Sequence, residues 1–149
     1  MDIANSGARL LSSDSAVFPG TEESLLQSHR FLDECNRKNR IPQKAARHIQ
    51  ICSDEIMTNI VSYAHAKTVR ICYEINHKAV ILSFEDDGIP YDPLRSEAPD
   101  VTLAARERKI GGLGLFMVRK IAGAVDYAEV NGRNRLRLEI EFDPEQGTE

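Results

Sequence analysis

No apolar run in the 149-residue sequence approaches the roughly 18 residues that a membrane span needs, so the chain offers no transmembrane helix. Its first 20 residues lack a basic start followed by a hydrophobic segment, which argues against a leader and for a cytoplasmic protein. Cysteine is scarce: Cys35, Cys52 and Cys72 are far apart and form no CxxC pair, which excludes a disulfide framework and a zinc knuckle and leaves reduced, mostly buried thiols. A dominant charge is also missing. With a formal net charge of −4 and 28% charged residues of both signs, the chain has no basic stripe for nucleic acid. The four histidines, His29, His48, His65 and His77, match no metal-ligand spacing and read as surface or packing residues.

What is present is one domain's worth of core. A chain of this length buries roughly 68–70% of its unfolded surface, and 42% hydrophobic residues can line that interior. Residues 1–17 read as a tail or edge strand, 18–142 as the domain and 143–149 as a second tail. Thr21 as N-cap, with Glu22 and Glu23 behind it, opens a helix from about 22 to 38 that carries Leu25, Leu26, Phe31 and Leu32. Pro42 begins a second helix, in which Ala45, Ile49, Cys52, Ile56, Ile60 and Tyr63 recur at helical spacing as far as about Ala64.

The period then changes from helical to two. Val69, Ile71 and Tyr73 alternate with Arg70, Cys72 and Glu74, and after an Asn76-His77 turn Val80, Leu82 and Phe84 alternate with Ile81, Ser83 and Glu85, which predicts an antiparallel hairpin. Residues 86–114, rich in glycine, proline and charge, form a connection too long to be ordinary and therefore functional or mobile. A short helix carrying Leu115, Val118, Ile121 and Ala122 ends at Gly123 as C-cap, and a last hairpin turns at Asn131-Gly132. The fold class is α+β: a two-layer sandwich in which three helices cover one face of a mainly antiparallel sheet.

Three short motifs can carry chemistry. Glu55 and Asn59, four apart, share one helix face beside the apolar stripe; the carboxylate could polarise a hydroxyl and the amide oxygen could ligate Mg²⁺, or the pair could be a solvated helix edge. Asp86-Asp87-Gly88-Ile89-Pro90 follows a buried strand end, where a carboxylate can accept from an exocyclic amine such as adenine's, or simply make a turn. Gly111-Gly112-Leu113-Gly114-Leu115 opens a helix whose bare N–H groups can hold phosphate oxygens, or serves as a hinge; Arg95, Arg106, Arg108 and Lys109 precede it.

Taken in this order, Glu55-x3-Asn59, Asp86-x-Gly88-x-Pro90 and Gly112-x-Gly114-Leu115 resemble the GHKL ATPase superfamily of gyrase and the histidine kinases, whose Bergerat fold is an α+β sandwich. The strings from Asp54 to Asn59 and from Gly112 to Val118 look more narrowly like the anti-sigma-factor serine kinases of the RsbW type. The resemblance implies that Glu55 is the general base, that Asn59 coordinates Mg²⁺, that Asp86 takes the adenine amine and that Gly88 faces the base. Gly112, Leu113, Gly114 and Leu115 would belong to the ATP site, at the end of a lid that closes over the phosphates. Pro90 departs from the glycine many members have, and Asn134, on the last hairpin, occupies about the place where relatives carry a threonine near adenine. The activity implied is an ATP-dependent serine/threonine kinase that phosphorylates an anti-sigma-factor antagonist and sequesters a sigma factor or similar regulator, as a homodimer, with no direct nucleic-acid or membrane partner. The alternative is a non-catalytic ATP-binding module that sequesters a partner protein.

Overall fold

The computed structural model describes residues 9–95 and 112–144. Period-two alternation gives β1 (Ser12–Pro19), β2 (Thr68–Ile75), β3 (Ala79–Asp86), β4 (Ala124–Val130) and β5 (Arg133–Glu141), and helical spacing gives α1 (Glu23–Lys38), α2 (Gln43–Asn59) and α3 (Gly112–Ile121). The strands form one sheet in the order β1-β2-β3-β5-β4, and every neighbouring pair is antiparallel. The expected α+β sandwich is what forms. The core lies between sheet and helices, where Leu32, Ile49, Cys52, Ile56 and Met57 meet Val69, Ile71, Tyr73, Leu82, Phe84, Leu138 and Ile140. Each large side chain buried there contributes roughly 1.5–3 kcal/mol.

Local chemistry departs from the sequence reading at four points. The N-cap of α1 is Glu22, without a side-chain cap, and the carbonyl rather than the hydroxyl of Thr21 closes the turn by accepting from the N–H of Ser24 at 3.0 Å and its Oγ at 2.7 Å. Leu26 is exposed, while Ser24, Ser28, Leu32, Cys35 and Asn36 make the buried stripe. Serine is tolerated there because the hydroxyl of Ser28, like that of Ser24, donates to a carbonyl of its own chain. Gly123 is not the C-cap of α3: its φ is not positive, and its N–H donates across to the Glu139 carbonyl at 2.8 Å. Both faces of β3 are buried, Ile81 and Ser83 included, because β3 is the central strand and Ile81 lies between Glu74 and Glu139 in the register.

Asn131 (φ 53°) and Gly132 (φ 76°) turn the last hairpin in the left-handed region that a type I′ turn requires. At the end of α2 the backbone widens into a π-helical turn, Ile60–Ala64, which stops at His65 in the left-handed conformation (φ 53°, ψ 37°). Turns of this kind concentrate at functional sites because the extra residue re-aims side chains.

Candidate functional site

The C-terminal end of β3, the π-turn and the start of α3 enclose one cleft. Its walls are mostly apolar, from Ile56, Ile60, Phe84, Ile89, Leu115 and Leu136 among others, and its volume is about 470 Å³, part of it continuous with solvent. Asn59, Asp86, Asn134 and the tyrosines Tyr63, Tyr91 and Tyr127 supply the polar groups along its walls.

Asp86 is the last residue of β3 and points to the helical side of the sheet, in register with Asn134 on β5. It is only 4% exposed, and a carboxylate so deep in the fold needs hydrogen-bond donors. Two converge on one oxygen: Oδ1 accepts from the Gly88 N–H at 2.9 Å and from Asn134 Nδ2 at 3.0 Å. Among the described residues no donor reaches Oδ2.

The next residue has a structural task. Asp87 Oδ1 accepts the N–H groups of Lys67 (2.8 Å) and Thr68 (3.1 Å), which fastens the end of β3 to the start of β2. The Thr68 N–H, ahead of the other contributions, holds the Asp87 carboxyl below the usual range. Gly88 follows at a crowded place, since a Cβ there would lie 2.2 Å from the Ala64 carbonyl oxygen. The same carbonyl accepts the Ile89 N–H at 2.8 Å. Glycine at 88 is therefore required by the approach of two backbones, and its N–H is already committed to Asp86.

Asn134, 7% exposed, is the hub of the cleft. Its Nδ2 donates to Asp86 Oδ1 and to the Ile89 carbonyl at 2.9 Å. Its Oδ1 accepts the Tyr91 N–H at 3.1 Å and the Tyr127 hydroxyl. Burial, ahead of other contributions, raises the Tyr127 pKa, so the phenol keeps the proton it donates. Further along the loop, Pro93–Arg95 form a 3₁₀ turn, and Arg119 of α3 donates to the Leu94 carbonyl.

Of the site residues expected from sequence, Asn59, Asp86 and Leu115 line this cleft. Gly88 borders it through its bond to Asp86. Glu55 is half-buried on α2, one turn before Asn59, and does not line the apolar part of the cleft. Gly112, Leu113 and Gly114 form the first turn of α3. The lid expected from Pro90 to Gly111 is described only as far as Arg95, and Arg106, Arg108, Lys109 and Gly111 lie outside the described residues. Sequence reasoning missed Tyr91 and Tyr127, read Tyr63 only as part of the apolar stripe of α2, and placed Asn134 only through the resemblance.

Residues 18–140 match the family model described as histidine kinase-like ATPase domain. The chain belongs to that family. The GHKL resemblance drawn from the three motifs is borne out. Within the curated proteins, the serine/threonine-protein kinase BtrW of Bordetella bronchiseptica is 30% identical to the domain over 101 residues, which are 65% of this chain and 71% of BtrW. Among solved structures, the histidine kinase AdeS of Acinetobacter baumannii superposes with a TM-score of 0.49 at 14% identity, over 89% of this chain and 70% of that one. Among the described residues no helix of the ATPase domain is long and apolar enough to cross a membrane.

Proposed function

We propose that this histidine kinase-like ATPase domain is a protein serine/threonine kinase that transfers the γ-phosphate of ATP to a serine or threonine of an anti-sigma-factor antagonist, and that it sequesters a sigma factor or similar regulator in a partner-switching system. The observation that carries the reading is the Asp86 carboxylate, fixed through Oδ1 and open at Oδ2, at the edge of an apolar cleft that also contains Asn59. A flat apolar base fits such walls, and its 6-amino group fits a carboxylate oxygen as acceptor. The relative named a serine/threonine kinase supports transfer to protein hydroxyls.

Asn59 offers one neutral amide oxygen, and no cluster of three or more His, Cys, Asp or Glu side chains exists among the described residues. So sparse a donor set fits Mg²⁺, which keeps several waters and arrives largely on nucleotide phosphates. Bound there through Asn59, the ion would neutralise phosphate charge. Gly112, Leu113, Gly114 and Leu115 would offer first-turn N–H groups of α3 to the phosphates. Glu55, one turn before Asn59 on the same helix face, would accept the proton of the attacking hydroxyl. The same reading makes the protein a cytoplasmic one whose partners are proteins rather than nucleic acid or membrane.

The test is single-turnover transfer of labelled phosphate from ATP to the cognate antagonist, with ATP affinity measured in parallel. Glu55→Ala should lower transfer by about 10²–10⁴-fold and leave ATP affinity nearly unchanged. Unaltered transfer would remove the general-base role. Tight ATP and partner binding with no transfer by the wild type would identify a non-catalytic module instead.

A further inference from the structure

The hydrogen-bonding capacity of the Asn134 amide is completely used inside the protein. Both N–H bonds of Nδ2 are spent, on Asp86 Oδ1 and the Ile89 carbonyl, and both lone-pair directions of Oδ1 are taken, by the Tyr91 N–H and the Tyr127 hydroxyl. A side chain in that condition has no group left to offer a ligand. What it does instead is hold its neighbours: the carboxylate on β3, the first residues after β3 and the edge strand β4.

The consequence falls on Asp86. Oδ1 already accepts from Gly88 and Asn134, so the carboxylate cannot rotate to present either oxygen indifferently. We propose that Asn134, oriented by Tyr127, is a positioning residue that dedicates Oδ2 of Asp86 to a single N–H donor on the ligand and thereby sets the preference for a 6-amino over a 6-oxo purine. The inference rests on the reading of the cleft as a nucleotide site. A 6-oxo group brings a lone pair rather than a proton to the fixed carboxylate oxygen, and lone pair against lone pair is repulsive. Through Ile89 and Tyr91 the same amide ties the entrance of the long connection to the carboxylate, so that loop entry and base site share one anchor.

The probes are ATP and ITP, each with Mg²⁺, which differ at the purine 6-position; their affinities are measured by calorimetry on the wild type, Asn134→Ala and Tyr127→Phe. The wild type should prefer ATP. Asn134→Ala should lower ATP affinity by about 10-fold, the worth of one well-placed hydrogen bond to a charged group, and leave ITP within about 2-fold, so that the preference collapses. Tyr127→Phe removes one donor to Asn134 from a half-buried side chain and should reduce the ATP-to-ITP ratio by about 3-fold; it carries the test alone if Asn134→Ala does not fold. A residue with only a scaffold role would lower both affinities together, and that result overturns the proposal, as does a preference that survives both substitutions. Wild-type protein that binds ATP and ITP alike, or neither, removes the adenine reading itself and the proposal with it.

Discussion

Gly88→Ala tests whether the cleft depends on a backbone contact rather than on a side chain. The new Cβ would stand 2.2 Å from the Ala64 carbonyl oxygen, 2.8 Å from its carbon and 2.9 Å from the Ala64 Cβ, whereas ordinary contact begins near 3.4 Å. Relief requires the two segments to part by about 1 Å, and neither partner is a flexible chain end that could swing aside. That separation also stretches the Ile89 N–H to Ala64 carbonyl bond, now 2.8 Å, beyond useful length. Losing the bond costs about 1 kcal/mol, and forcing extra volume into a packed contact costs about 1–3, for a total of about 2–4 kcal/mol. For a domain of this size the melting temperature should fall by about 5–15 °C. Because Ala64 and Ile89 both line the cleft, ATP affinity should fall as well. Urea denaturation and an ATP titration of the same preparation measure the two effects. Gly132→Ala is the comparison: its cost comes from φ alone, since nothing lies within 4 Å of its added Cβ, and should be about 1–2 kcal/mol with no effect on ATP. Gly88→Ala within about 0.5 kcal/mol of the wild type would refute the reasoning.

Asp86→Asn should weaken ATP binding by about 1–3 kcal/mol in calorimetry, because an amide is a weaker acceptor than a carboxylate for a base amine. Tyr73→Phe should destabilise the fold by about 1–2 kcal/mol in denaturant melts, since the Tyr73 hydroxyl donates at 2.9 Å to Asn36 Oδ1 and both residues are buried. For Asp87 the native carboxyl titrates below its unfolded value of about 3.9, so between the two the unfolded state binds more protons and stability rises with pH. The stabilisation is present above about pH 4 and is lost as pH falls through the lower native value; the deficit of Asp87→Asn, about 1 kcal/mol or less for so exposed a group, should shrink when melts are repeated from pH 5 down to pH 2.5.

The strands, helices and last turn were legible because their signals are local. Period two in Val69, Ile71 and Tyr73 declares a half-buried strand whatever surrounds it, and Asn131-Gly132 can adopt the positive φ pair that its turn needs. Burial was less legible, because it depends on what lies opposite. Ser24 and Ser28 read as polar, yet they are buried because each hydroxyl finds a carbonyl three residues back. Ile81 reads as facing solvent, yet it is covered because β3 takes the centre of the sheet, a position that only the pairing of β3 with both β2 and β5 creates.

The cleft divides along the same line. Asp86 and Gly88 are two residues apart and hydrogen-bond each other, so a short motif could announce them. Asn134 meets Asp86 across 48 positions, Ile89 across 45 and Tyr91 across 43. No spacing rule reaches that far, and the resemblance places Asn134 near the base without naming what it bonds. Its role becomes visible only through the register of β5 against β3, which sets Asn134 opposite Asp86. Tyr127 follows from the adjoining register, in which β4 sets it opposite Leu136 on the same inner face. The groups that a ligand would touch were therefore within reach of motif reading, whereas the group that aims them was not, because aiming a buried carboxylate takes donors from strands that only the folded sheet brings together.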